Sequence, residues 1–198
     1  MPRTAEQNAR IRDERREEIL RAGLAVFARR GFDATKIADI AAAARMSHGL
    51  IYRYFPSKEA AFLALVEQAV AGAVRITEQA LSGPESPASR LERLIEQMFD
   101  GVRTQPEYPS LILQAYATGT IPDAARRVLD RYGEQTLENV ARLIRQGQDA
   151  GQVRSGDATE LATLVLATVQ GLTVNRLEAH THRRPFPRAR TLIHLLQA

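Results

Sequence analysis

Apolar residues in this chain recur at intervals of three and four almost from end to end. No stretch alternates apolar and polar residues long enough to make a strand. The spacing predicts helices over residues 8–30, 36–44, 47–54, 57–81, 88–104, 107–118, 122–149, 157–181 and 187–197. Leu20, Leu24 and Phe27 share one stripe with Gly23, where a missing side chain lets a neighbouring helix approach. Gly31, Gly83-Pro84, Ser86-Pro87, Gly119, Pro122, Gly151, Gly156 and Pro185-Phe186-Pro187 separate the periodic segments. The expected fold is all-α with about nine helices: a three-helix unit over 1–56 and a larger helical body over 57–198.

The second and third helices carry the readable chemistry. Ile37, Ile40, Ala41 and Ala44 make one apolar face, and a short turn follows around Arg45-Met46. Ser47 has the side chain of a helix N-cap, and Ser57 stands in the same position before the fourth helix. Ile51 and Phe55 turn inward, which leaves His48, Gly49, Tyr52 and Arg53 outward. Two short helices joined this tightly read as a helix-turn-helix, whose second helix enters the major groove. Gly49 lets the backbone approach DNA, His48 suits a base edge, and Tyr52 suits a thymine methyl or a phosphate. Arg53 and Lys58 suit phosphates. The same pattern also fits an ordinary helical hairpin inside a core.

Charge favours the first reading. Residues 1–58 hold 12 Lys+Arg against 7 Asp+Glu (+5), and residues 59–198 hold 15 against 16 (−1). All the excess positive charge therefore lies with the helix-turn-helix, as a polyanion partner requires. There is no cysteine, which excludes a disulfide scaffold, a thiolate zinc site and a cysteine nucleophile. The polar N-terminal residues do not read as a secretory signal, no run of 18 apolar residues predicts a membrane span, and a cytoplasmic protein is expected.

The stretch Gly31-Phe32-Asp33-Ala34-Thr35, then Ile40-Ala41, then SHGLIYRYFPSKEA at 47–60, resembles the tetracycline-repressor (TetR) family of bacterial transcription regulators. The resemblance covers residues 10–65 strongly. It implies that Thr35, Lys36, Arg45, Ser47, His48, Gly49, Tyr52, Arg53, Tyr54 and Lys58 face DNA. Two positions depart from the family pattern. Arg45 stands where the family usually has Gly in the turn, and a non-Gly residue at positive φ there costs on the order of 1 kcal/mol. Lys36 stands where the family often has Thr or Ser, with Thr35 available to cap the helix instead. Both replacements are basic and on the expected DNA side.

The body reads as a ligand-sensing and dimerising domain. Helix 157–181 has one stripe of Leu161, Leu164, Val165, Thr168, Leu172 and Asn175, and another of Ala162, Leu166, Val169 and Leu177. Two stripes predict two packing partners, one within the subunit and one outside it, the alternative being that both pack inside one subunit. The resemblance implies dimerisation through the last two long helices, placing Leu166, Val169, Leu177, Leu192, Ile193 and Leu196 at the interface. Polar residues interrupting apolar faces suggest a pocket for a small apolar or amphipathic effector, although each taken singly fits a satisfied polar group of the core better. Its expected walls are Phe62, Leu65, Val66, Met98, Phe99, Val102, Tyr108 and Ile112, with Gln114, Tyr116, Thr136, Asn139, Thr168 and Asn175 as polar groups. Glu96 and Asp100 lie off the neighbouring apolar stripe and read as a solvated face.

The expected function is a sequence-specific regulator, a ligand-responsive repressor that binds a palindromic operator as a homodimer. No cofactor, metal or membrane partner is expected. His48, His180, His182 and His194 form no catalytic or metal-binding spacing, and neither a phosphate loop nor a Gly-x-Ser-x-Gly elbow occurs. An architectural DNA protein is the alternative, with an all-helical enzyme less favoured. The slightly acidic body and long apolar helices count against the architectural reading.

Overall fold

The computed structural model describes residues 5–117, 119–177 and 186–198, without the side chains of Ala5 and Leu177. Among these residues nine helices follow one another: α1 (Ala5–Ala34), α2 (Ile37–Ala44), α3 (His48–Tyr52), α4 (Lys58–Leu81), α5 (Pro87–Thr104), α6 (Glu107–Ala117), α7 (Asp123–Asp149), α8 (Ala158–Leu177) and α9 (Ala189–Leu196). One antiparallel bridge, Val153 to Gln197, ties the turn before α8 to the end of α9. The expected all-α architecture holds, with boundaries within a few residues of the periodicity.

Local chemistry explains the ends of the elements. Ser47, Ser57 and Ser86 cap α3, α4 and α5, their hydroxyl oxygens accepting from Leu50, Ala60 and Ser89 N–H at 3.4, 3.2 and 3.2 Å. Pro87 sits at the start of α5, where its missing N–H costs nothing. Near its end α1 is broken at Gly31, whose φ of 74° and ψ of 175° glycine adopts without strain. At the other end of α4, the buried Arg90 guanidinium donates to Ala80 O, Glu85 O and Gln146 Oε1 at 2.9, 3.2 and 2.9 Å. It closes the C-terminal end of α4, where a cation is favoured.

The helices enclose two cores. The first joins α1, α2 and α3 to the first half of α4, α6 and the start of α7, through Ile19, Phe27, Ile40, Ile51, Phe62, Leu65, Leu111 and Leu129 among others. Phe62 packs at ring-centroid distances of 5.1 Å from Phe27 and 4.9 Å from Phe32. Such pairs contribute about 0.5–1.5 kcal/mol each beyond their buried area. The second core joins the end of α4 to α5, the second half of α7, α8 and α9, through Leu94, Ile95, Phe99, Val140, Ile144, Val165, Ile193 and Leu196. Helix α4 enters both. Alone it is long and apolar enough to cross a membrane. Here nine of its residues, from Ala61 to Ala80, are buried in the protein.

Candidate functional site

The turn between α2 and α3 is built around Arg45. Its φ of 54° and ψ of 41° are left-handed, as the departure from glycine predicts. That conformation lets Arg45 N–H donate to Ala42 O at 3.1 Å and Met46 N–H to Ala41 O at 2.9 Å, which stops α2. The other end of α2 corrects the expected cap. Lys36 occupies the cap position, and the Asp39 carboxylate accepts from its backbone N–H at 2.9 Å. This bond, aided by Arg30 at 2.7 Å, holds the Asp39 carboxyl below its usual range. Thr35 is fully buried, and its hydroxyl donates to Gly31 O at 2.6 Å. It therefore braces the break in α1 and does not present its side chain to DNA.

Helix α3 stands on Ile51, which is fully buried, and on Phe55 just beyond it. Its opposite side exposes Ser47, His48, Gly49, Tyr52 and Arg53. The His48 and Tyr52 rings meet edge to face at 5.9 Å, so each restricts the other's rotamer. Open space surrounds the position a Cβ would take on Gly49. Tyr54 is half-buried against the first core. A cleft of about 420 Å³ runs along this side, lined by Lys36, Ile37, Ala38, His48, Tyr52, Pro56, Ser57, Lys58 and Glu59. The N-terminal ends of α2 and α4 both border it, and helix N-termini favour anions.

Lys58 borders the cleft but has another task. Its ammonium donates to Phe32 O, Asp33 O and Thr35 O at 3.0, 3.3 and 3.2 Å and lies 4.3 Å from the centre of the Phe32 ring. An ammonium has three protons. Its three contacts all lie at the end of α1, which gives Lys58 the place of a clamp between α1 and α4 beside the phosphate role expected from the sequence. Two further groups hold the same segment: Gln114 in α6 donates to Ala28 O, and Thr120 donates to the Asp33 carboxylate.

The expected pocket residues divide between the two cores. Phe62, Leu65, Val66, Tyr108 and Ile112 belong to the first, whereas Met98, Phe99 and Val102 belong to the second. Several of the polar groups serve helix packing. Tyr116 donates to Leu129 O at 2.8 Å, over Gly133, where a Cβ would come within 2.6 Å of the hydroxyl. Asn139 donates to Thr77 Oγ1 at 3.0 Å inside the α4–α7 contact, and Thr168 to Leu164 O at 2.8 Å. Thr136 and Asn175 are half-buried on α7 and α8. A cleft of about 200 Å³ lies elsewhere, lined by residues of α5, α9 and the 152–153 turn. As expected, Asp100 is exposed, paired with Arg103 at 2.8 Å.

The expected dimer residues are also redistributed. Ile193 and Leu196 are buried in the second core of their own subunit, while Leu166, Val169 and Leu192 are half-buried against it. The side chain of Leu177 lies outside the described residues. Among the described residues of α8 and α9, the large apolar side chains left in solvent are Leu164 and Val174 on α8 and Leu195 on α9, at 60, 38 and 62% exposure. With the exposed Ala167 and Gly171, Leu164 and Val174 form one stripe at intervals of three, four and three. The sequence placed Leu164 with Val165 and Leu172, but those two face inward. Ala167, Gly171 and Val174 belong to neither of the stripes expected from the sequence.

Comparison with known proteins agrees with this geometry. Residues 19–65 match the family described as bacterial regulatory proteins, tetR family, and residues 87–198 match the C-terminal domain of BetI-type transcriptional repressors. The transcriptional repressor DhaR of Mycobacterium sp. (strain GP1) is 25% identical over 181 residues, covering 90% of this chain and 89% of that protein. The MbdR regulator of Azoarcus sp. CIB is 29% identical with a TM-score of 0.73, covering 90% of this chain and 93% of that one. A regulator of Saccharomonospora viridis solved in complex with choline is 27% identical with a TM-score of 0.74, covering 92% of this chain and 93% of that one. The chain belongs to the tetR family of bacterial regulatory proteins, with a body of the BetI repressor type, and is a DNA-binding transcriptional regulator.

Proposed function

We propose that this protein is a cytoplasmic repressor that binds a palindromic operator as a homodimer and releases it when a small apolar or amphipathic molecule enters the body. One observation carries the reading: α3 presents Ser47, His48, Gly49, Tyr52 and Arg53 to solvent on a base made rigid by Ile51 and Phe55. His48 and Tyr52 supply base readout, while Lys36, Arg45 and Arg53 supply phosphate contacts. The second copy docks on Leu164, Ala167, Gly171 and Val174, where two small residues allow close approach of helices. Choline in the Saccharomonospora relative supports an effector of small size and mixed polarity.

Selection of bound sequences from random duplexes tests the reading. The expected product is an inverted repeat with half-sites about one helical turn apart, about 34–36 Å. Recovery of no common sequence, or of a single unpaired half-site, would overturn it.

A further inference from the structure

We infer that the outer turns of α1 form an arm that grips the DNA backbone flanking each half-site, with Arg12 and Arg16 as its phosphate ligands. The inference rests on the reading of DNA by α3. Residues 6–17 are exposed apart from the half-buried Ile11, so α1 runs about 18 Å beyond its buried part. Gly23, Ile19, Arg16 and Arg12 follow at intervals of four, three and four, on one stripe of the helix. The first two are buried in the core. Where the stripe leaves the core it changes from apolar to arginine, and both arginines are exposed.

Position and charge specify the partner. The Arg16 guanidinium lies 5.2 Å from the centre of the Phe55 ring, which follows α3 directly, so the arm departs beside the reading helix. Arg12 lies one turn further out, about 6 Å along the axis. The acidic residues of the arm, Glu6, Asp13, Glu14 and Glu17, turn to other sides of the helix. Arg10 and Arg15 are paired with Glu14 and Glu18 at 2.8 and 2.6 Å, and Arg16 approaches Glu17 only at 3.7 Å. Arg12 makes no ion pair among the described residues. A cation stripe beginning at the end of the reading helix, with Glu17 reaching Arg16 only at 3.7 Å and Arg12 outside the ion pairs of the described residues, fits the phosphates of a continuing duplex.

The test uses the selected operator in two lengths. One duplex ends with the base pairs read by α3, and the other extends about half a turn further at each side. Wild-type protein is expected to bind the longer duplex more tightly. Arg12→Ala should bind the short duplex like wild type and the long one about threefold to tenfold more weakly at 0.1 M salt. Its salt slope on the long duplex should fall by about 0.9 for each phosphate no longer neutralised. Arg12→Lys should restore most of the difference, and circular dichroism should show the helix intact. Equal binding of wild type and Arg12→Ala to the long duplex overturns the arm. An equal loss on both lengths overturns its flanking position. Failure of the wild type to prefer the operator over random DNA overturns the α3 reading itself, and the arm with it.

Discussion

Replacing Lys58 with alanine separates a clamp from a phosphate ligand. The substitution leaves three carbonyls, of Phe32, Asp33 and Thr35, without their shared donor and removes the cation from the Phe32 ring. A hydrogen bond to a charged group contributes about 1.5–3 kcal/mol, but the three are not additive. They share one ammonium, and the Asp33 bond is exposed, so water replaces part of the loss. The ring contact adds about 0.5–1 kcal/mol. A total of about 2–4 kcal/mol follows, which shifts Tm by on the order of 10 °C in a protein of this size. DNA binding should respond differently. If the clamp is the whole task of Lys58, the salt slope of Lys58→Ala should stay within about 0.5 of wild type. A direct phosphate ligand would lower it by about 0.9 when removed. Thermal denaturation and a salt titration of operator binding decide the matter. An unchanged Tm with a slope lower by about one would refute the clamp.

Three further outcomes are expected. A Cβ on Gly147 would lie 3.0 Å from the buried Val153 Cβ and closer still to its Cγ2, so Gly147→Ala should destabilise by about 1–3 kcal/mol of overpacking, less about 1 kcal/mol of helix propensity, and Val153→Ala should rescue part of the loss in a denaturant-unfolding cycle. Leu164→Asp should yield a folded monomer by analytical ultracentrifugation, since that side chain is 60% exposed, whereas Ile193→Asp, 6% exposed, should unfold the subunit; a dimeric Leu164→Asp would remove α8 from the interface. Asp39 has its carboxyl lowered chiefly by the Lys36 N–H, so its contribution is present above the ordinary carboxylate pKa of about 3.9 and lost as pH falls through the lowered value; Asp39→Asn should abolish that part of the acid transition.

The reading head was legible because its signals are local. A capping serine, an inward Ile51 and Phe55, and a turn that forces a positive φ on Arg45 all lie within a dozen residues. The clamp made by Lys58 was not legible because its partners lie 23 to 26 residues earlier, and nothing in the spacing of a lysine reveals which carbonyls it will meet. The partners of the polar interruptions in the body were hidden for a related reason. Tyr116 and Asn139 break the apolar pattern of their own helices, yet each completes a contact with another helix. Periodicity reports that a face is apolar, not what it faces. That is also why Ile193 and Leu196, buried in their own subunit, looked like interface.

The first core has a practical consequence for recombining such proteins. Ile19, Phe27, Ile40 and Ile51 share it with Leu111, Ala115, Ile121 and Leu129, which come from beyond the linker of α4 and α5. A chimera made by transplanting residues 1–56 onto another scaffold would part these two groups at their common surface. The head would meet strange side chains, and the donor body would show an unmatched apolar flank to water. Exchange of operator preference is better made by replacing the solvent-facing letters of α3 alone, leaving its inward residues in place. Specificity here is a coat of paint on a wall that belongs to both rooms.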